Sequence, residues 1–356
     1  MRKNAPYWRC SKHPNIVSLI GFCYEVNKMI LVYEHASKSS LDDYLKSVDS
    51  MKNFTWTQRL HMCLEIARGL NHLHTRPQRI IHGDIKSANI LLGMNHEAKI
   101  AYFGISKHRT NQEVGMEVYA DPEYETTGKL ETHSDVYSFG VVLFEILCGR
   151  VAYSPVYMKD NEKGLAPIAR KCANDGSIER IIDPKLIEET DDDILTSNRR
   201  PNYDSLYTFL KVACQCTGKA AKRPTMETVI NELETIALNL HEILLKNLQI
   251  SLKDIESATE NFSEKNCVGS GELWKAYKGE LPFPLDNANA SGRTTIVAKR
   301  WDNNFGQGDH QFRTELNFLF KRKHKNVISL VGYCNEMDEK IIVYEQMSHG
   351  SLDMEV

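Results

Sequence analysis

Asp84, Lys86 and Asn89 lie within six residues in the stretch IIHGDIKSANILL, residues 80 to 92. A carboxylate, an ammonium and a carboxamide on one polar loop are a set that phosphoryl transfer uses. The carboxylate accepts the proton of a substrate hydroxyl, the cation stands near the transferring phosphate, and the amide oxygen ligates Mg2+. Polar loops between apolar strand-like pieces are also common without any chemistry. The chemical reading is favoured because the whole H-x-D-x-K-x-x-N-I-L-L pattern is present and KIAYFG follows about ten residues later. Within that second stretch, EAKIAYFGISK (residues 97 to 107) reads as a short buried strand running into a turn, with Tyr102 as one more core aromatic.

Elements that could hold such a loop are legible on both sides of it. WTQRLHMCLEIARGLNHLH places Leu60, Cys63, Leu64, Ala67, Leu70 and Leu73 on one helical face. SDVYSFGVVLFEILCGR opens on a Ser cap and stops at Gly149, which predicts a buried helix. YDSLYTFLKVACQC and METVINELETIALNLHEILLKNL are further amphipathic helices, so residues 56 to 245 are helix-rich. EETDDDI and SNRRPN read as exposed loop, and SLKDIESATENFSEKN as a polar connector containing a short helix. Strand-like runs around KAYKGEL and TTIVAKRW follow, then the helix HQFRTELNFLFKRK.

The chain also repeats itself. KHPNIVSLIGFCYEVNKMILVYEHASKSSLD, from Lys12, aligns without a gap on KHKNVISLVGYCNEMDEKIIVYEQMSHGSLD, from Lys323, with about half the positions identical. Each copy holds two β-branched-rich runs joined by a polar turn, the pattern of a hairpin. Two copies at opposite ends of the chain indicate two related domains rather than a solenoid.

Composition narrows the classes. The 356 residues are 42% hydrophobic and 26% charged, a globular balance with room for two or three domains or lobes. A net charge of -3 argues against a dedicated nucleic-acid binder. Nine scattered cysteines without a C-x-x-C pair suggest reduced thiols and no structural zinc. No run of about 18 apolar residues predicts a membrane span, and MRKNAPYWRC has no signal-peptide apolar region.

Taken in order, HPNIVSLIGFC, LVYE, SLDDYL, HGDIKSANILL, YADPEY, SDVYSFGVVLFEILCGR and KRPTM resemble the eukaryotic protein kinase family, within it the plant receptor-like serine/threonine (Pelle-like) kinases. DIESATENFSEKN, VGSGELWKAYKGEL and VAKRWD resemble the start of another kinase domain. The resemblance implies an α+β, two-lobed kinase fold. It divides the chain into 1–245, a kinase-like domain without a glycine-rich loop, nucleotide lysine or helix glutamate of its own; a connector at 246–266; and 267–356, a second small lobe and hinge.

Site roles follow from the same resemblance. Asp84 matches the catalytic-loop aspartate, Lys86 the phosphate-contacting lysine and Asn89 a metal ligand. Asp135 would hold the catalytic-loop backbone, while Glu123 and Arg223 match a buried ion pair anchoring the activation segment. Tyr33 and Glu34 match the gatekeeper and first hinge position, and Glu345 the second copy's hinge. Lys299 matches the lysine that pairs with the α/β-phosphates, and Glu315, sixteen residues on, its helix partner. Val268, Gly269 and Gly271 belong to the glycine-rich loop. The implied cofactor is ATP with Mg2+. Implied partners are other kinases or receptor complexes and protein substrates, at a cytoplasmic location that reaches the plasma membrane through receptors.

Several positions depart from the family. The D-F-G aspartate is Tyr102, followed by Phe103 and Gly104; a neutral phenol is a poor ligand for a hard cation. Gly83 stands where the family has the H-R-D arginine, and Met116 where a threonine is usual. Glu272 and Trp274 replace small residues in the glycine-rich loop. These departures imply a catalytically impaired, pseudokinase-type scaffold or regulator. The alternative is an active kinase assembled from the large lobe of the first copy and the small lobe of the second. Ser106, Thr110, Thr126 and Thr127 are candidate modification sites in or near the activation segment.

Overall fold

The computed structural model describes residues 12–25, 28–47, 51, 54–77, 79–102, 117–158, 164–187, 200–282, 293–302, 307–321 and 326–347. Phe103, Gly104, Ser106, Thr110 and Met116, the EETDDDI run and the start of SNRRPN lie outside them. The chain divides into two compact units, residues 1–190 with 198–240, and residues 191–197 with 241–356.

Strands β1 (Leu19–Glu25) and β2 (Lys28–Tyr33) open the first unit as an antiparallel hairpin. Helix α1 (Leu41–Lys46) follows, closed by a Ser40–Asp43 capping box. Helix α2 (Trp56–His74) begins at a Thr55–Gln58 capping box, and all six residues expected on its buried face are buried. Strands β3 (Ile90–Leu92) and β4 (Ala98–Ile100) form a second hairpin. Of the two apolar pieces flanking the Asp84 loop, only the later one is a strand.

Helix α3 (Pro122–Thr127) is capped by Asp121. Helix α4 (Thr132–Cys148) is buried on nearly every side and sits at the centre of the core, where Phe139, Val141, Leu143, Phe144 and Leu147 are fully buried. It ends at Gly149, whose φ of +63° provides the left-handed cap. Its start differs from expectation: Glu131 is the N-cap and Ser134 the third residue of the capping box, a reciprocal arrangement that carries the helix a turn further back. Helices α5 (Leu165–Asp175), α6 (Tyr203–Cys216) and α7 (Met226–Asn247) complete the helical layer. One apolar cluster joins α2, α4, α6 and residues 226–240 of α7 with β3 and β4.

In the second unit, helix α8 (Leu252–Ala258) is capped by Ser251. It precedes β5 (Cys267–Ser270), β6 (Trp274–Leu281), β7 (Thr294–Trp301), α9 (Gln307–Lys321), β8 (Leu330–Cys334) and β9 (Lys340–Glu345). The five strands form one antiparallel sheet in the order β5-β6-β7-β9-β8. Alternation on β9 buries both of its faces. Ile341 and Val343 pack with Ile250, Ile255 and Ile296, while Ile342 and Tyr344 pack with Phe312, Leu316 and Leu319 of α9. The stretch expected to be a polar connector therefore belongs to a core. Its polar surface is one face of α8, and Ile250 and Ile255 supply the buried side. The whole is an α+β architecture.

Candidate active site

Asp135 is the anchor of the Asp84 loop. It lies at the start of α4 at 1% exposure, and its carboxylate accepts the backbone N–H of His82 at 2.9 Å and of Gly83 at 2.7 Å. His74 Nε2 approaches the same carboxylate at 2.8 Å. Gly83 has φ +74°, a left-handed conformation that would cost a side-chain-bearing residue about 1–2 kcal/mol. The departure from arginine at this position thus suits the local backbone. His82 is buried, and burial, ahead of any charge, pushes its imidazole below its usual value, favouring the neutral form.

Beyond this anchor the three loop residues converge. Asn89 donates its amide N–H to the backbone oxygen of Asp84 at 2.7 Å and to its carboxylate at 2.8 Å. Lys86 Nζ stands 3.4 Å from the same carboxylate. Asn89 is buried, whereas the Asp84 and Lys86 side chains remain partly open at 28% and 14%. The carboxylate is consequently held at a fixed place with a face to solvent.

Tyr102 is not a core aromatic. Ala101 is the last buried residue after β4; Tyr102 turns out to 59% exposure with φ +57°. A left-handed φ is unusual for an aromatic residue, and asparagine or aspartate adopts it more readily.

Sequence reading misassigned the partner of Arg223. The guanidinium, 2% exposed in its side chain, makes a forked pair with Asp121 at 2.7 and 2.8 Å, and Glu123 is exposed. Asp121 is also the N-cap of α3, so its carboxylate points back toward the core while Glu123, in the helix's first turn, projects outward. Glu123 instead lines a cleft of about 1140 Å3 with Thr126, Arg170, Lys171 and Lys219, and none of Asp84, Lys86 or Asn89 lines it.

Sequence reading also missed a buried network. Glu145 on α4 is fully buried and accepts from Tyr119, from Ser87 Oγ at 3.2 Å and from the Ala152 N–H at 2.7 Å, all on Oε1. Its Oε2 has no hydrogen-bond partner among the described residues. Burial dominates the competing hydrogen bonds and pushes this carboxyl up to about 8. The only sequence signal was a lone glutamate inside an apolar helix.

In the second unit Lys299 reaches Glu315 at 2.8 and 3.2 Å, and the Tyr344 hydroxyl donates to the same carboxylate. The two glutamates expected at hinge positions make equivalent bonds: Glu34 accepts the Ser18 N–H at 2.8 Å, and Glu345 the Ser329 N–H at 2.9 Å. Glu34 also receives Lys99 at 3.0 Å. Burial alone would raise Glu34, but Ser18 and Lys99 outweigh it and hold the carboxyl low. Gly269 lies in β5, Val268 beside it is exposed, and Gly271 closes the turn into β6 by donating to the Trp274 carbonyl at 2.8 Å.

The family model described as protein tyrosine and serine/threonine kinase matches residues 1–233 and again residues 262–356. The chain belongs to the protein kinase family. It is 40% identical over 244 residues to Receptor-like protein kinase HERK 1 of Arabidopsis thaliana, a match covering 66% of this chain and 28% of that protein. Probable receptor-like protein kinase At2g39360, from the same plant, is 37% identical over 270 residues, covering 73% of this chain and 30% of the relative. The chain thus spans under a third of the length of these relatives.

Kinase domains as a class bind ATP with Mg2+. The residues by Asp84 do not form a set that fits the metal. Asn89 offers one amide oxygen and Tyr102 a phenol, where a hard cation takes a carboxylate. No helix among them is long and apolar enough to cross a membrane.

Proposed function

We propose that this chain is a kinase-family protein of the plant receptor-like serine/threonine class whose own phosphoryl transfer is impaired, and that it acts as a scaffold or regulator. The observation that carries this reading is Tyr102, exposed in left-handed backbone where the site needs a carboxylate for Mg2+. Residues 1–245 and 267–356 are two kinase-like regions joined by 246–266, each carrying part of the motif set. Asp84 keeps its position as an acceptor for a hydroxyl proton, while the metal that would neutralise phosphate charge lacks its main ligand. Its partners are other kinases, receptor complexes and their protein substrates, met in the cytoplasm or at the plasma membrane through those receptors. The receptor-like kinases it resembles support that setting.

A second reading, an active kinase joining the Asp84 set to the Lys299 set, is favoured by the ready-made Lys299–Glu315 pair. A transfer assay with Mg2+ and with Mn2+ separates the two. Background transfer, unchanged in Asp84→Asn, is the expected result. Robust transfer that Asp84→Asn abolishes would sink the impaired reading.

A further inference from the structure

The turn between β5 and β6 is where a kinase small lobe receives phosphates, and in this chain an indole already fills it. Gly271 N–H donates to the Trp274 carbonyl at 2.8 Å, and the Trp274 indole lies against Gly269 and Gly271. A Cβ built on Gly271 would lie 2.5 Å from Trp274 Nε1, and one on Gly269 would lie 3.8 Å from its Cζ3. On the side of β7, the Lys299 ammonium sits 4.7 Å from the Trp274 ring centre and 4.6 Å from that of Trp301. Trp274 and Trp301 are cross-strand partners, and Lys299, two residues before Trp301, shares its face. The ammonium is therefore enclosed by two indoles and the Glu315 carboxylate.

A lysine that pairs with the α/β-phosphates must have them between itself and the glycine-rich turn. Here that interval, between Gly271 and Lys299, holds the six-membered and five-membered rings of Trp274. We propose that Trp274 is a built-in plug of the nucleotide site, its π face replacing phosphate as the partner of Lys299 and holding this lobe in a nucleotide-free state. Attraction between the ring quadrupole and the ammonium keeps the plug seated. Glu272, exposed on the same turn, adds a negative charge that opposes an incoming phosphate. With the lysine already paired to Glu315, strand β7 and helix α9 are joined without any ligand.

This inference rests on reading residues 267–356 as a kinase small lobe. Its test measures binding, not transfer, so it can fail while the impaired-catalysis reading stands, and the reverse. Calorimetric titration of the full chain with ATP and Mg2+ is compared in wild type, Lys299→Met, Trp274→Val and Trp274→Val/Lys299→Met. Wild type is expected to show no Lys299-dependent binding tighter than about 1 mM. Trp274→Val keeps a strand-forming side chain while emptying the interval, and is expected to bind at least about tenfold tighter, the gain disappearing in the double variant. Lys299-dependent binding by wild type overturns the plug, as does a folded Trp274→Val that gains nothing. If the valine variant does not fold, Trp274→Leu takes its place. The comparison of wild type with Lys299→Met then decides, Lys299-dependent binding overturning the plug and its absence supporting it.

Discussion

Asp121 does two things with one carboxylate: it caps α3 and it neutralises a buried guanidinium. Asp121→Ala should therefore cost about 3–5 kcal/mol, because Arg223 would keep its charge inside the protein without a counter-ion. Glu123→Gln, two residues away and exposed, should change stability by no more than about 0.5 kcal/mol. Chemical denaturation of the two variants side by side checks the assignment; the reverse order would restore Glu123 as the partner. Tyr102 makes a second residue-scale case. Tyr102→Asp should leave the unfolding free energy within about 1 kcal/mol of wild type, since the side chain is exposed and aspartate accepts the left-handed backbone. Equilibrium denaturation reads this directly.

Among the elements, α4 carries a carboxyl shut away from solvent. The Glu145 carboxyl keeps its proton up to about pH 8 in the folded chain, against the ordinary 4.5 of a solvated glutamate. Between those two values the folded state binds more protons than the unfolded one, so stability falls as pH rises through the window. Glu145→Gln mimics the protonated form and should flatten that fall. Midpoints measured from pH 5 to 8, read as wild type minus variant, check it and cancel the opposite slope of neutral, buried His82. A second comparison lies in the two hairpins. Ile30, Leu31 and Val32 of β2 are 52, 44 and 46% exposed, while Ile341, Ile342 and Val343, their repeat partners in β9, are fully buried. Ile341→Ala should cost about 2–5 kcal/mol, and Ile30→Ala under about 1 kcal/mol. Denaturation midpoints of the pair test whether the same sequence pattern is stabilised by different surroundings. Hairpin, helix and strand types were legible from periodicity, because alternation and 3.6-residue spacing are local. The packing of the 246–266 stretch was not, because Ile250 and Ile255 find their core only in partners further along the chain, Leu281, Ile296 and Ala298 as well as Cys334, Ile341 and Val343.

For the whole molecule, the residues proposed for chemistry are split: Asp84, Lys86 and Asn89 belong to one unit, Lys299 and Glu315 to the other. Restoring the metal ligand alone should therefore do little. Tyr102→Asp is expected to raise transfer by less than about tenfold, whereas regaining ~4 kcal/mol of transition-state stabilisation would raise it roughly a thousandfold. A thousandfold rise abolished by Lys299→Met, in the same transfer assay, would establish the assembled-kinase reading instead. The family and the α+β class were legible in the sequence alone, and so were the proposed roles of Asp84, Lys86, Asn89 and Tyr102, since each depends on residue types at short, fixed spacing. Which acid meets Arg223, where Tyr102 points, that Glu145 holds a proton, and that Trp274 lies against Lys299 were decided only in three dimensions. Each depends on which side chain reaches a shared volume first, and that is set by packing between distant segments rather than by order along the chain.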